Sequence, residues 1–279
     1  DSIINEFLNG YYGKAGKEIR NYIDDIEKVA ISYKETVGLD IYGPPTNYMN
    51  NILSKDNIER YSKIFDRAED AVKDDSVCLL RVRTARLPLD YAIMEIAKVD
   101  MFGERGWYNK QGEDYVLKND MTNRLEKFYL TARKAGVRSM NESGLTVEDY
   151  YTTTRRFINV DVKNDIAFHK DVVSTPKASD RYCKGDMKMI TNGVKGADDF
   201  KMHWLGWWGY DFNLDMDLDT IVNNKTITIS SLCDAKSWIL HPLKVTCLVS
   251  KDGKNYKELG EKEGYGNDKN SPVIREYEF

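Results

Sequence analysis

Apolar residues in the first half of the chain recur at the spacing of an α-helix. From Ile19 to Val37 they fall three and four positions apart, which places them on one face of a helix. Gly38 and the run Gly43-Pro44-Pro45 follow, and both residue types favour the end of a helix. The sequence therefore predicts a first helix that begins near Ile19 and ends before Gly38.

The same periodicity predicts a second and a third helix. The second begins after Ser54, a residue type that caps helix N-termini, and ends at Asp74-Asp75. The third runs from Ser76 to about residue 101, and apolar residues on more than one of its faces predict deep burial. Pro88 lies inside it and is expected to kink or divide it, because proline removes a backbone donor.

Residues 102–118 are polar and show no period, so they predict a long loop. A fourth helix follows, with an apolar stripe from Met121 to Ala135. A fifth is predicted to begin at Thr146, because Glu148 and Asp149 are acidic residues suited to a first helical turn. The first half is thus expected to be all-helical.

The pattern changes between Asn159 and Lys177, where the helical period fades and short alternating runs begin. Strands are predicted from Lys225 to Leu232 and from Lys244 to Ser250, with a tight turn at Asp252-Gly253 before the next strand. We therefore expect two domains: a helical domain over residues 1–165 and an antiparallel β-sandwich over residues 171–279.

The charge balance names no macromolecular partner. The chain carries 41 basic and 45 acidic residues, a formal net charge of −4, so it predicts no nucleic-acid groove. Its apolar runs are too short to predict a membrane-spanning segment.

The residue types that carry chemistry are scattered. Asp215, Asp217 and Asp219 alternate like a calcium loop, but threonine stands where an EF-hand needs glycine and glutamate, so we expect a solvated strand face. The three histidines are too dispersed for a zinc set or a triad, and the four cysteines are expected to be ordinary buried thiols. No acidic pair has the strand-end setting that glycoside hydrolysis uses.

One segment is unusually aromatic: residues 203–210, which read His-Trp-Leu-Gly-Trp-Trp-Gly-Tyr. Sugar rings stack their apolar faces on exposed aromatic rings, so this segment predicts a carbohydrate site at His203, Trp207, Trp208 and Tyr210. The alternative is that these rings fill a sandwich core, which is the interpretation that we favour for Trp204. For Trp207, Trp208 and Tyr210 both interpretations stay open.

From Lys177 onward the order of residues resembles a coagulation factor 5/8 type C, or discoidin-like, domain. The resemblance is carried by Ala178-Ser179, Lys184-Gly185-Asp186, Ile190-Thr191-Asn192-Gly193, Trp204-Leu205-Gly206-Trp207, Asp211, Asp217-Leu218, Ser237-Trp238-Ile239, Pro242 and Val249-Ser250-Lys251-Asp252-Gly253. It implies a galactose-binding-like jelly roll that binds glycan without a cofactor and is incomplete at its C-terminal end. It also implies a structural calcium near Asn192, which stands where the family usually has aspartate, a better calcium ligand.

The helical half resembles the region that follows the catalytic barrel in the bacterial domain family of unknown function 4838, which is related to α-glucuronidases and family 20 glycoside hydrolases. The matching stretches are residues 7–15, 19–22 and 81–89. The resemblance implies a periplasmic or extracellular parent enzyme whose catalytic acids lie in an upstream barrel, so no catalytic residue is expected in this chain. Arg81, Arg83 and Arg86 would face that barrel or, as we favour, form ion pairs within the helices. A structural or protein-interaction module that binds no glycan is the alternative.

Overall fold

The chain divides into two compact units, Asp1–Arg155 and Arg156–Phe279. The computed structural model describes residues 2–40, 42–112, 114–142, 144–160, 162–223, 226–269 and 271–279. The first unit is built from helices, and the second contains antiparallel strands in small sheets. The boundary between the two units in the sequence lies between Arg155 and Arg156. The change of sequence pattern, from which a boundary was predicted, lies slightly later, at residues 159–177.

The helices of the first unit are α1 (Ser2–Tyr12), α2 (Gly16–Ser32), α3 (Lys55–Ala71), α4 (Ser76–Val99), α5 (Asn119–Lys134) and α6 (Val147–Phe157). Their N-termini follow local sequence signals. The Ser54 hydroxyl accepts the backbone N–H of Asn57, and the Thr146 hydroxyl accepts that of Asp149. The predicted starts of α3 and α6 are therefore confirmed.

The core of the first unit lies between α1, α2, α3 and α4. One cluster of buried residues there comprises Leu8, Ala15, Ile19, Tyr61, Phe65, Ala68, Val72, Cys78, Val82 and Leu89. Tyr61 is fully buried, and desolvation by this burial raises its pKa to about 12. The apolar stripes predicted for α2 and α3 supply most of this cluster.

The structure departs from several expectations for the helical half. Helix α1 precedes the predicted first helix, and α2 ends at Ser32, before the apolar period is exhausted. Helix α4 runs through Pro88, so the predicted division is wrong, while the alternative of a kink stays a prediction. Residues 102–118 are not simply a loop, because β1 (Tyr108–Gln111) and β2 (Asp114–Leu117) form an antiparallel hairpin there. The rings of Phe102 and Tyr115 lie 4.7 Å apart against this hairpin, a tertiary contact that local periodicity does not reveal.

The arginines of α4 stabilise the helices. Arg86 donates to Asp66 at 2.7 Å and to Glu69 at 3.0 Å, and Arg83 also pairs with Glu69. Arg81 donates to the carbonyl oxygen of Tyr11 at 2.8 Å. These contacts confirm the predicted ion pairs for Arg83 and Arg86, whereas Arg81 binds a backbone carbonyl within the helices instead.

In the part of the second unit that the structure describes, the strands are β3 (Val172–Thr175), β4 (Asn213–Met216), β5 (Thr228–Cys233), β6 (Lys244–Val249), β7 (Lys257–Glu263) and β8 (Val273–Glu278). They pair antiparallel as β3 with β4, β5 with β8, and β6 with β7. Strand β6 confirms the prediction closely. Strand β5 begins later than predicted, and Lys225 lies outside the described residues.

The predicted turn at Asp252-Gly253 lies in the segment that joins β6 to β7. The Asp252 carboxylate accepts the backbone N–H groups of Lys254 and Asn255, which holds its pKa well below the usual range, and Gly253 supplies a φ of 66°. Asp215, Asp217 and Asp219 are all exposed, as expected, but only Asp215 lies on a strand, so the predicted common strand face is wrong.

All four cysteines are free thiols; Cys78 and Cys233 are buried, and Cys183 and Cys247 are half-buried. Among the described residues, no helix is both long and apolar enough to cross a membrane.

Candidate functional site

Trp207 attaches the aromatic segment to strand β3 and to the residues that follow that strand. Its indole N–H lies 2.9 Å from the Ser174 hydroxyl and 3.1 Å from the carbonyl oxygen of Pro176. Its ring stacks on Phe212 with centroids 3.7 Å apart and planes 6° apart. Because both its donor and one ring face are occupied, Trp207 anchors the segment.

Trp208 and Tyr210 project to solvent, with 64% and 71% of their surface exposed. Gly209 separates them and adopts a φ of +71°, a conformation that L side chains rarely take. Of the four residues predicted to bind sugar, these two present open aromatic surface.

A second segment supports this exposed pair. The backbone N–H of Ser179 donates to the carbonyl oxygen of Gly206 at 2.8 Å. A Cβ at Gly206 would lie 2.6 Å from Cδ2 of Tyr182, so the Tyr182 ring packs directly on the glycine. Arg181 belongs to the same short segment as Ser179 and Tyr182. Its guanidinium carbon lies 4.1 Å from the centre of the Trp208 ring. Residues 179–182 and 206–210 thus form one surface, which we call the Trp208 platform.

His203 lies in the interior of the unit. It is 8% exposed, its ring packs on Phe157, and its Nδ1 lies 2.9 Å from the side-chain amide nitrogen of Asn192. Since the other end of that amide accepts the Val194 N–H, the nitrogen faces the histidine and Nδ1 acts as the acceptor. The structure therefore places His203 and Asn192 together, but not among the exposed rings. Trp204 is half-buried, and its indole N–H donates to the carbonyl oxygen of Ala197.

The residues around Asn192 are already hydrogen-bonded within the protein. The Asn192 side-chain oxygen accepts from Val194 at 2.9 Å, and the Thr191 hydroxyl donates to the Lys170 carbonyl at 2.8 Å. The described residues contain no group of three or more histidine, cysteine, aspartate or glutamate side chains suited to a metal ion. A cation at Asn192 would have to compete with the Val194 bond, and the calcium site stays a prediction.

Two exposed side chains of this unit were missed by the sequence reasoning. Arg181 shows no local pattern that distinguishes it from other surface arginines. Trp238 is 91% exposed and left-handed at φ 60°, next to the exposed Leu240 and Leu243. Trp238 belongs to the Ser237-Trp238-Ile239 motif, and the presence of a tryptophan there could have been used to predict an exposed aromatic residue.

Among the described residues of the helical unit, two of the cavities have linings that contain no carboxylate. One, of about 180 Å³, is lined by Ser76, Leu79, Leu80, Arg83, Leu130, Thr131 and Lys134. The other, of about 300 Å³, is lined by Asn5, Leu8, Asn9, Gly16, Lys17, Arg20 and Asn21. Glycoside hydrolysis by the usual route requires two carboxyl groups facing one sugar, so neither cavity has the groups for it.

A serine–histidine pair does occur in the second unit, but it is enclosed. The Ser231 hydroxyl lies 2.7 Å from Nδ1 of His241, which is 3% exposed, and Nε2 of His241 is buried with no hydrogen-bond partner among the described residues. Ser231 is half-buried and His241 is buried, so the pair is not presented at an open surface, which a nucleophile needs to reach its substrate.

No protein-family model, curated protein or solved structure matches this chain. Its function is therefore argued from the geometry of the Trp208 platform.

Proposed function

We propose that this protein is the non-catalytic region of a carbohydrate-active protein and that its second unit binds glycan on the Trp208 platform. The observation that carries the proposal is the exposure of Trp208 and Tyr210 on a segment that Trp207 holds to β3. The apolar faces of a sugar ring stack on such rings, and the hydroxyl groups remain available to polar neighbours.

The anchoring of Trp207 supports a binding role. A loop that must be ordered on binding loses affinity, whereas a segment already fixed by stacking and hydrogen bonds does not. Trp207 has both kinds of contact, through Phe212 and Ser174. The aromatic surface is therefore preorganised.

The remaining parts of the proposal concern the parent protein. We propose a periplasmic or extracellular glycoside hydrolase in which the helical unit braces an upstream catalytic barrel, and in which the paired strands close into a jelly-roll sandwich. A structural calcium near Asn192 belongs to the same proposal.

A glycan array probed with the whole chain tests the binding role. Trp208→Ala and Tyr210→Ala are expected to lose retention by about tenfold or more, because stacked aromatic residues are the energetic centre of such sites. Trp238→Ala is the matched control, since it removes a tryptophan of the same unit that is even more exposed than Trp208. Equal loss in all three variants, or none in any, would remove the platform from the site.

A second candidate function, protein interaction without glycan binding, is favoured by helix α1. Ile3 and Phe7 are 82% and 60% exposed, and Tyr11 stacks on Phe7 at 5.5 Å, which gives an apolar stripe at four-residue spacing. If this is the main role, Phe7→Ser will alter association in sedimentation experiments while the unaltered chain retains no glycan.

A further inference from the structure

Arg181 is an exposed cation without an acidic partner among the described residues. Its guanidinium lies over Trp208 at 4.1 Å, and neither an ion pair nor a hydrogen bond to a carboxylate involves it in that part of the chain. Arg133 and Arg155 also lie over tyrosine rings, those of Tyr129 and Tyr151. Each of these arginines donates to the hydroxyl of its tyrosine, and that hydroxyl also contacts a glutamate. The Arg181 pair differs because indole offers no acceptor and because, among the described residues, no carboxylate forms an ion pair with this arginine.

The stacking leaves the donors of Arg181 available. A guanidinium that lies over an aromatic ring uses its flat face, while its five N–H bonds point outward in its own plane. These donors match the two oxygens of a carboxylate or sulfate group. Arg181 therefore lies against Trp208, and none of its side-chain donors pairs with a carboxylate among the described residues.

The local charge agrees with an anionic ligand. Residues 177–188 contain four basic side chains, Lys177, Arg181, Lys184 and Lys188, and two acidic ones, Asp180 and Asp186, although the whole chain carries a net charge of −4. Asp186 is partly satisfied, because its carboxylate accepts the backbone N–H of Lys188. The segment that supports the platform is thus positive within an acidic protein.

We propose that the glycan bound at the Trp208 platform is an acidic polysaccharide, whose anionic groups are held by Arg181. The inference rests on the proposed glycan binding of the second unit and names its ligand class. Uronate carboxylates and sulfate esters share the required chemistry, since both offer two oxygens to the fork of N–H donors.

Affinity electrophoresis of the whole chain separates these ligands. The probes are polygalacturonate, its fully methyl-esterified and therefore neutral form, dextran sulfate and dextran. Retardation by polygalacturonate but not by its ester assigns a carboxylate, and retardation by dextran sulfate but not dextran assigns a sulfate. The retardation is expected to weaken as ionic strength rises from about 0.1 M to about 1 M, over which the Debye length falls from about 10 Å to about 3 Å.

Variants of Arg181 test the residue itself. Arg181→Gln is expected to weaken binding of the charged polymer by about tenfold or more, and Arg181→Lys to recover only part of it, because lysine keeps the charge but not the planar fork. Arg155→Gln, which removes an arginine that also lies over an aromatic ring, is the matched control and leaves binding unchanged. Unaltered thermal unfolding of Arg181→Gln shows that the exposed substitution spares the fold.

The outcomes separate the two proposals. If the charged and esterified polymers bind equally, or if Trp208→Ala loses binding and Arg181→Gln does not, the glycan is neutral and this inference is wrong while the proposed function stands. If no polymer and no array glycan is retained, the proposed function is wrong as well.

Discussion

The phenol rings of Tyr129 on α5 and Tyr151 on α6 lie parallel, with centroids 4.2 Å apart and planes 17° apart. Each hydroxyl contacts a glutamate on the opposite helix, Glu148 for Tyr129 and Glu126 for Tyr151. The two helices are thus joined by one symmetric contact. We expect a double-mutant cycle of Tyr129→Ala and Tyr151→Ala to give a coupling free energy of about 1 kcal/mol in urea unfolding. Additive single effects would show that the stack contributes nothing.

Asp90 is a buried carboxylate that pairs with two arginines, and Arg124 has no other ion-pair partner among the described residues. It is 8% exposed and contacts Arg124 and Arg86, and burial raises its pKa although both arginines act to lower it. We expect Asp90→Ala to lower the free energy of unfolding of the helical unit by about 3 kcal/mol, because a buried ion pair loses one member.

Asp66→Ala is the control for that substitution. Asp66 also pairs with Arg86, but its side chain is 63% exposed, so its removal is expected to cost less than about 1 kcal/mol. Similar losses in the two variants would contradict the role of burial.

His241 makes the stability of the second unit depend on pH. Burial holds the pKa of His241 below its usual value; the nearby Arg275 also lowers it, Asp268 raises it, and Ser231 and the Tyr265 ring are its uncharged neighbours. The folded unit keeps His241 neutral, so unfolding takes up a proton once the pH falls below about 6.5. Stability is therefore retained above that pH and falls below it, by at most about 1.4 kcal/mol per pH unit from this group.

The measurement is urea unfolding of the whole chain, followed by tryptophan fluorescence at pH 7.5 and at lower pH, in the unaltered protein and in His241→Gln. The variant cannot titrate at this position and is expected to show a shallower dependence on pH. Parallel curves would assign the effect to other groups.

Gly206 links the two segments of the Trp208 platform. Because a Cβ there would lie 2.6 Å from the Tyr182 ring, Gly206→Ala is expected to displace residues 179–182 and to weaken glycan retention by about tenfold. Gly38→Ala, where a Cβ meets nothing within 4 Å, is the control. Undiminished retention by Gly206→Ala would show that Tyr182 and Arg181 do not contribute to the site.

The sequence predicted those helix starts and strands that depend on neighbouring residues alone. Ser54 and Thr146 cap the helices that they precede, and the alternation of Val245, Cys247 and Val249 predicts β6. The end of α2 at Ser32 was not predictable in this way, since apolar positions continue beyond it.

The site was predictable only in part. Trp207 and Trp208 are adjacent residues of the same type, yet Phe212 and Ser174 cover one and leave the other exposed. Arg181 joins the platform because Ser179 and Gly206 bring distant segments together. Both outcomes depend on contacts across the fold, which periodicity and composition do not record.

Strand β5 has its partner far along the chain, because Thr228 pairs with Glu278 and Cys233 with Val273. During synthesis on the ribosome, β5 must therefore wait until residues 273–278 have emerged before its ladder can form. Contacts between the helices of the first unit are also non-local, such as that of Arg81 with Tyr11, but that unit lies upstream and can assemble while the second is still being translated. Strand β5 has an unpaired edge until β8 emerges, and such an edge is open to pairing with other chains.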